Sequence, residues 1–326
     1  MTQRIYGLIL WVTCLPGLNV AAQTPDTAMP APPHTVGKVK ITILSTMLSD
    51  SYEGEWGFSA LVEVDSFRIL FDAGAHESTV IDNAKKMKID LSGIPDIILS
   101  HSHPDHTGGW KHLREQFAGK GSFSVTHVGD GFFYPRMDSA GKQYYDRKKD
   151  SAWYIGTGGQ YAVCRSFTEL YPGVYLTGPV PRKYPEKNYG KGVWLQTENG
   201  PKADDLPEDM SLVIVTDKGL ILLSGCGHAG IINTIDYTRS KLDQRKLVAA
   251  IGGFHLYEAD DERVAWTAGQ LKQAGIEYFI GAHCTGINSV YEIRQLCGLA
   301  RSQCVVGAVG ASFDLVKGIS PGELAQ

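Results

Sequence analysis

Apolar positions along the chain come in short runs separated by polar turns, and several runs close on a turn or loop bearing His, Asp or Cys. Residues 39–44 alternate well enough for a strand, and 59–64 and 68–71 give two more around an Asp65-Ser66 hairpin turn. Ile97-Ile98-Leu99 reads as a buried strand, and residues 211–216 and 219–223 pair around Asp217-Lys218. Residues 247–251, 278–281 and 305–309 supply the later strands. Helices are expected at 78–87, 110–117, 231–242 and 260–274, the first with Lys85, Lys86 and Lys88 at the end where the helix dipole favours cations. Strands alternating with helices predict an α/β fold, with the functional chemistry at strand ends.

The richest strand end is Ser100-His101-Ser102-His103-Pro104-Asp105-His106-Thr107-Gly108-Gly109, three imidazoles and a carboxylate within six positions. Such donors suit zinc, and also iron or manganese where oxygen ligands share the site. His101 and His103, two apart, can point the same way as the chain leaves its strand. Pro104 turns the chain, so Asp105 and His106 can aim at a second point. Ser224-Gly225-Cys226-Gly227-His228 repeats the pattern of an apolar strand ending in a Gly-rich turn with a histidine, so His228 is the candidate to complete a first metal site with His101 and His103. His283, after a βαβ-like unit, is the natural third ligand of a second metal with Asp105 and His106. Asp72 ends the third strand, where it either orients a ligating histidine through that ring's other N–H or fixes its own turn. His255 ends another strand and serves either as a substrate contact or as a structural histidine.

The His-x-His-x-Asp-His run followed by Gly-Gly resembles the metal-binding signature of the metallo-β-lactamase-fold superfamily. The ordered set Gly-Phe-Ser-Ala-Leu at 57–61, Phe-Asp-Ala-Gly at 71–74, Ser-Gly-Cys-Gly-His-Ala-Gly at 224–230, Gly-Gly-Phe-His-Leu at 252–256 and His-Cys-Thr-Gly at 283–286 resembles the superfamily branch of 7,8-dihydropterin-6-methyl-4-(β-D-ribofuranosyl)aminobenzene-5′-phosphate synthases. The resemblance implies a four-layer αββα sandwich with a dinuclear metal site at one edge, holding one or two divalent ions, zinc first. It also implies a metal-bridging Asp where this chain has Cys226, whose thiolate is a possible bridge, and a further upstream histidine where only Glu208 and Asp209 lie nearby.

The implied activity is that of a metal-dependent hydrolase or group transferase on a small phosphate-, ester- or pterin-like substrate. Asp105 would be proton shuttle and His255 an oxyanion or substrate contact. The alternatives are a synthase-type transferase displacing pyrophosphate and a non-catalytic metal- or ligand-binding protein.

Composition narrows the partners. A net charge of −4 without a basic run or basic helix face gives no argument for nucleic acid, which leaves small molecules. Arg4, an uncharged stretch over 5–18 and Val20-Ala21-Ala22 read as a signal peptide over residues 1–22, implying a periplasmic or secreted protein without stable membrane insertion after cleavage. Residues 23–37, with Pro25, Pro30, Pro32 and Pro33, predict a flexible tether, and 38–326 the folded domain. Five cysteines remain after cleavage; they imply no disulfide framework, although Cys297 and Cys304 are close enough in sequence to pair. Residues 119–205 are aromatic-rich and read as an insertion that either covers a planar or anionic substrate or packs on itself. Trp56, His127 and Arg136 are the candidate substrate contacts, His127 being otherwise a satisfied, partly buried histidine.

Overall fold

In the computed structural model, residues 33–326 apart from 146, 191, 323 and 326 are described. The expected signal peptide, and the tether up to residue 32, lie outside them. The first half of the chain contributes β1 (Val39–Ser45), β2 (Ser59–Val64), β3 (Phe67–Phe71), α1 (Thr79–Lys86), β4 (Asp96–Leu99), α2 (Pro104–Thr107), α3 (Trp110–Phe117) and β5 (Val125–Gly129). Then follow β6 (Arg136–Met137), β7 (Gln143–Tyr145), α4 (Arg147–Gly156), β8 (Gln160–Cys164), β9 (Thr168–Tyr171), β10 (Val174–Leu176), β11 (Trp194–Thr197) and β12 (Gly200–Ala203). The last part holds β13 (Leu212–Thr216), β14 (Gly219–Ser224), α5 (Ile231–Lys241), β15 (Leu247–Gly252), α6 (Asp261–Ala274), β16 (Tyr278–Gly281), α7 (Ile287–Cys297), β17 (Cys304–Val306), β18 (Ser312–Asp314) and β19 (Gly318–Ser320).

Two sheets form the body, ordered β19-β18-β1-β2-β3-β4-β5-β8 and β17-β16-β15-β14-β13-β10-β9. Their strands are apolar on both faces, and the period of two sorts the side chains into layers. Phe71, Ile98, Ile214, Leu223, Ile251 and Ile280 point between the sheets and pack together. Their neighbours Leu70 and Ile97 face outward onto Val80, Ile81 and Leu113 of α1 and α3. Val213, Leu222 and Phe279 face the other way, onto Ile235, Leu271 and Ile293 of α5, α6 and α7. The result is the four-layer αββα sandwich.

The sheet order also fixes where the loops go. Strands β3, β4, β5 and β8 are mutually parallel, as are β14, β15, β16 and β17, so each set ends on one edge. In the second sheet Ser224 pairs with Gly252 and Gly252 with Gly281, so the loops bearing Cys226, His255 and His283 leave side by side. Helix α6, which returns the chain between two of these strands, starts where the Asp260 carboxylate accepts from Arg263 N at 2.9 Å and stops at left-handed Gly275.

Four sequence expectations need revision. The folded part begins before Lys38: Val36 is buried and donates its N–H to Val215 O at 2.9 Å, an apolar β-branched residue covering a strand it can pair with. The 119–205 segment is not one insertion, because β5 and β8 complete the first sheet and β9 and β10 the second. Only the four-stranded sheet β12-β11-β6-β7 stands apart. Many of the segment's aromatics pack on each other, Tyr154 and Phe133 each 4.9 Å from Tyr161. Cys297 and Cys304 are free, their sulfurs turned to different carbonyls, Ala268 O and Val290 O. The strand expected at 305–309 ends at Val306, and α7, β18 and β19 are further elements; α7 carries apolar residues at 287, 290, 293 and 297 on a helical spacing, whereas β18 and β19, three residues each, are too short to show a period. Among the described residues no helix is long and apolar enough to cross a membrane.

Candidate metal centre

The first ligand-bearing loop is held by its own backbone. Pro104 opens the short helix α2, where a missing N–H costs nothing. The turn is clamped to the end of β3 by Ala73 N to His106 O at 2.8 Å and Gly108 N to Gly74 O at 2.9 Å. A Cβ at Gly108 would collide with the Ala75 carbonyl, and one at Gly225 with Ser100 Oγ and the Asp72 carboxylate. Gly108 lets two loops of the first sheet touch, and Gly225 lets a loop of the second sheet reach them. Asp72, His255 and His283 all have positive φ, +56°, +48° and +45°, conformations that side chains other than glycine adopt at a cost and that cluster at functional sites.

Ring nitrogens from four strand ends converge. His101 Nε2 lies 3.0 Å from His103 Nδ1 and 3.2 Å from His228 Nε2. His106 Nε2 lies 3.3 Å from His283 Nε2, which is 3.2 Å from Asp105 Oδ2. Cys226 Sγ stands 3.1 Å from His106 Nε2 and belongs to two groups of potential ligands, Asp105-His106-Cys226-His283 and His101-Cys226-His228. His101, His103 and Asp105 make a third overlapping group. Two nitrogens about 2.0–2.1 Å from one tetrahedral ion stand about 3.3–3.4 Å apart. The close separations and the nitrogen, oxygen and sulfur donors fit divalent metal ions in adjoining sites. The expected second site, Asp105 with His106 and His283, is contained in one of these groups, whereas the expected first site is divided, His228 grouping with His101 and Cys226 and His103 with His101 and Asp105.

Electrostatics point the same way. Burial first, and then neighbouring imidazoles, push the His101 and His228 pKa values well down. His103 is pushed to about 3 by burial, against the pull of Asp105. These rings keep bare lone pairs near neutral pH. Burial also works against a charge on His106, but Asp72 and then Asp105 outweigh it and raise its pKa to about 9. Burial alone would favour the neutral acid of Asp105, yet His106 and a hydrogen bond with His283 hold it ionised. In the metal-free protein the His106 proton therefore supplies the positive charge that a cation would bring. Burial and then Cys284 raise the Cys226 thiol well above its ordinary value, so binding there releases a proton.

The pH dependence follows by sign. Below about 9 a proton competes for the His106 lone pair, whereas His103 takes one only in strong acid. On acidification the Asp105-His106-His283 group should lose its metal before the groups built on His101. Metal retained after dialysis at stepped pH checks this, and simultaneous release from both sites would count against it.

Partners behind the ligands fix their orientation. Asp72 accepts from Ser100 N at 2.7 Å, from Ser100 Oγ at 2.8 Å and from His106 Nδ1 at 2.7 Å. Of the two roles weighed for Asp72, the carboxylate takes the orienting one, and its one backbone bond goes to Ser100 at the end of β4 and not to its own turn. Ser100 Oγ also lies 2.9 Å from His101 Nδ1. An Asp72→Ala chain should bind metal at the His106 site about 10–100-fold more weakly, as loss of an orienting partner does elsewhere. Chelator competition measures this; an unchanged affinity would contradict the assigned role.

His228 Nδ1 is held by the backbone oxygen of Asn188, whose side chain spans Gly227 O at 2.9 Å and Arg263 Nη2 at 2.6 Å. Sequence reasoning missed Asn188, Arg263, Ser100 and Cys284. Ser100 and Cys284, each beside a candidate ligand, carried a local signal; Asn188 and Arg263 carried none.

Of the candidate substrate contacts, Trp56 is 48% exposed at the rim, its ring 4.8 Å from that of His283 and edge-on to Tyr257 at 5.7 Å. His255 lies within the centre, its ring 4.8 Å from that of His228. For His127 the reading as a satisfied buried histidine holds, and Arg136 as a substrate contact is corrected. His127 is buried in β5 with Nε2 2.7 Å from Asp96 Oδ1, a paired core histidine. Arg136 is wholly buried, bonded to Asp204 Oδ2 at 2.9 Å and Glu208 Oε1 at 2.5 Å, so its charge serves the protein. Glu208 Oε1 also accepts from Ser102 Oγ at 2.7 Å, and Arg147 Nε donates to Ser102 O at 3.0 Å, so two arginines brace the back of the histidine loop.

The sequence model of the metallo-beta-lactamase superfamily matches residues 57–226. The chain is 33% identical, over 78% of its length and 91% of the relative's, to the 7,8-dihydropterin-6-methyl-4-(beta-D-ribofuranosyl)-aminobenzene-5′-phosphate synthase of Methanocaldococcus jannaschii. A solved metal-dependent hydrolase of the beta-lactamase superfamily has a TM-score of 0.69 at 24% identity, covering 84% of this chain and 98% of its own. Zn(2+)-bound PqqB from Methylobacterium extorquens has a TM-score of 0.53 at 14% identity, covering 85% and 100%. At such identities the two solved structures speak for the fold alone. The family match over half the chain, the relative aligned over nearly its whole length and the two-sheet sandwich make this protein a member of the metallo-β-lactamase superfamily.

Proposed function

We propose that the protein is a metal-dependent hydrolase or group transferase acting on a small phosphate-, ester- or pterin-like molecule, with zinc as its metal. The observation that carries this reading is the pair of ligand groups sharing Cys226. Divalent ions there would polarise a phosphoryl or carbonyl oxygen and lower the pKa of water. The remaining work falls to side chains of the chain itself. Asp105, ionised and 20% exposed at its side chain, faces the centre and can take a proton from a nucleophile and return it to a leaving group. His255, kept neutral by burial and then by His283, can offer an N–H to a developing negative charge. Trp56 and Tyr257 form an aromatic rim suited to a planar ring.

The likeness to the M. jannaschii synthase favours a second reading, a transferase in which an amine-bearing acceptor displaces pyrophosphate. Product analysis separates the two. Hydrolysis of phosphodiesters, esters or lactams supports the hydrolase. No hydrolysis together with pyrophosphate release in the presence of an acceptor supports the transferase. Stoichiometric metal without turnover on either panel would overturn both and leave a metal-binding protein. We also propose export, on the signal-like N-terminus; a mature protein beginning at Gln23 in a periplasmic or secreted fraction would support it, and an intact N-terminus in the cytosol would refute it.

A further inference from the structure

We propose that Cys226 and Cys284 are a modification site, a dithiol that closes to a reversible disulfide and so withdraws the sulfur shared by both ligand groups. Their sulfurs lie 3.3 Å apart, and both residues are buried, 3% and 1% exposed. Cys284 Sγ also reaches Cys226 O at 3.6 Å, while Cys284 itself belongs to neither ligand group.

The pairing depends on the fold. Cys226 follows β14 and Cys284 follows β16, so β15 lies between them. The end of β15 is Gly252-Gly253, and a Cβ on Gly253 would sit 2.9 Å from Cys284 Sγ and collide with Gly225 O. Without side chains on β15 there, the two thiols meet across it. A disulfide needs S–S of about 2.05 Å, so the sulfurs must approach by roughly 1.3 Å, within reach of side-chain rotation and a small shift of two loop ends. Two thiols placed one strand apart over a bare Gly-Gly end, one of them in the metal centre, are more than a packing solution needs, since burial alone asks for no second sulfur.

The chemistry needs a two-electron oxidant, here a peroxide. The Cys226 sulfur attacks the peroxide O–O bond, which breaks as the thiol proton passes to the departing oxygen, giving a sulfenic acid and water or alcohol. Cys284 sulfur then displaces the sulfenic oxygen as water, and the S–S bond forms. The two sulfurs together lose two electrons to the peroxide. A dithiol reductant reverses the step by exchange.

The inference rests on the metal-centre reading only for its consequence, not for the cross-link. The test uses the full folded chain, stripped of metal by a chelator, treated with hydrogen peroxide, alkylated and digested. The expected result is a peptide pair joined through Cys226 and Cys284, zinc uptake weakened about 10-fold or more, and recovery with dithiothreitol. A Cys284→Ser chain should give no cross-link, its Cys226 stopping at the sulfenic acid. Both cysteines alkylated after peroxide, or a cross-link with undiminished zinc uptake, would overturn the proposal. A reduced chain that binds no zinc while the cross-link still forms would support the dithiol and sink the metal-centre reading instead.

Discussion

An Asp105→Asn chain should lose about 10²–10⁴-fold in kcat, the usual worth of a positioned acid-base group. Asp105 sits where several forces meet: burial pushes its carboxyl toward the neutral acid, but His106, His283 and His103 hold it ionised. Its Oδ2 lies 3.2 Å from His283 Nε2 and 3.7 Å from His106 Nε2, so the group is both part of a ligand set and the partly exposed carboxylate facing the centre. Asparagine keeps an oxygen for a metal but cannot carry a proton between reactants. Metal content should therefore fall by no more than one equivalent while turnover falls by orders of magnitude. Activity within about 10-fold of the parent would remove Asp105 from the proton-transfer role.

An Arg136→Ala chain should lose about 3–5 kcal/mol of folding stability, the scale for breaking a buried ion pair from one side. Arg136, Asp204 and Glu208 are all buried, and removing the guanidinium leaves two carboxylates uncompensated. Glu208 Oε2 already has no hydrogen-bond partner, so little is available to take up the freed charge. Because Glu208 also holds Ser102 of the histidine loop, the same change should loosen metal binding. Urea unfolding of the metal-free and metal-loaded forms measures both effects; a stability change under about 1 kcal/mol would show that the triad is not the brace described here.

How much of this could be read from the sequence depends on distance along the chain. The run from His101 to His106 is local, and its apolar strand and Pro104 announce the turn. His228 and His283 were legible for a different reason, since each follows a short apolar run and parallel strands deliver such ends to one edge, whereas Cys226 was legible only through the family resemblance. Residue type misled where burial decides the role. Arg136, in an aromatic-rich segment, reads as a substrate contact, but its partners lie far along the chain at Asp204 and Glu208, as His127's does at Asp96. Asn188 acts through its backbone oxygen, which no residue type advertises. The Cys226–Cys284 contact needs β15 to lie between two strands and to end in Gly-Gly, a relation that exists only once the sheet order is known.

The central claim is that strand ends from both sheets close on two adjoining metal sites. Metal analysis of the purified full-length chain beside its His228→Ala variant tests it most directly. The account predicts two equivalents of divalent metal in the parent and one in the variant, the loss falling on the site built on His101. Equal metal content in the two proteins would contradict it.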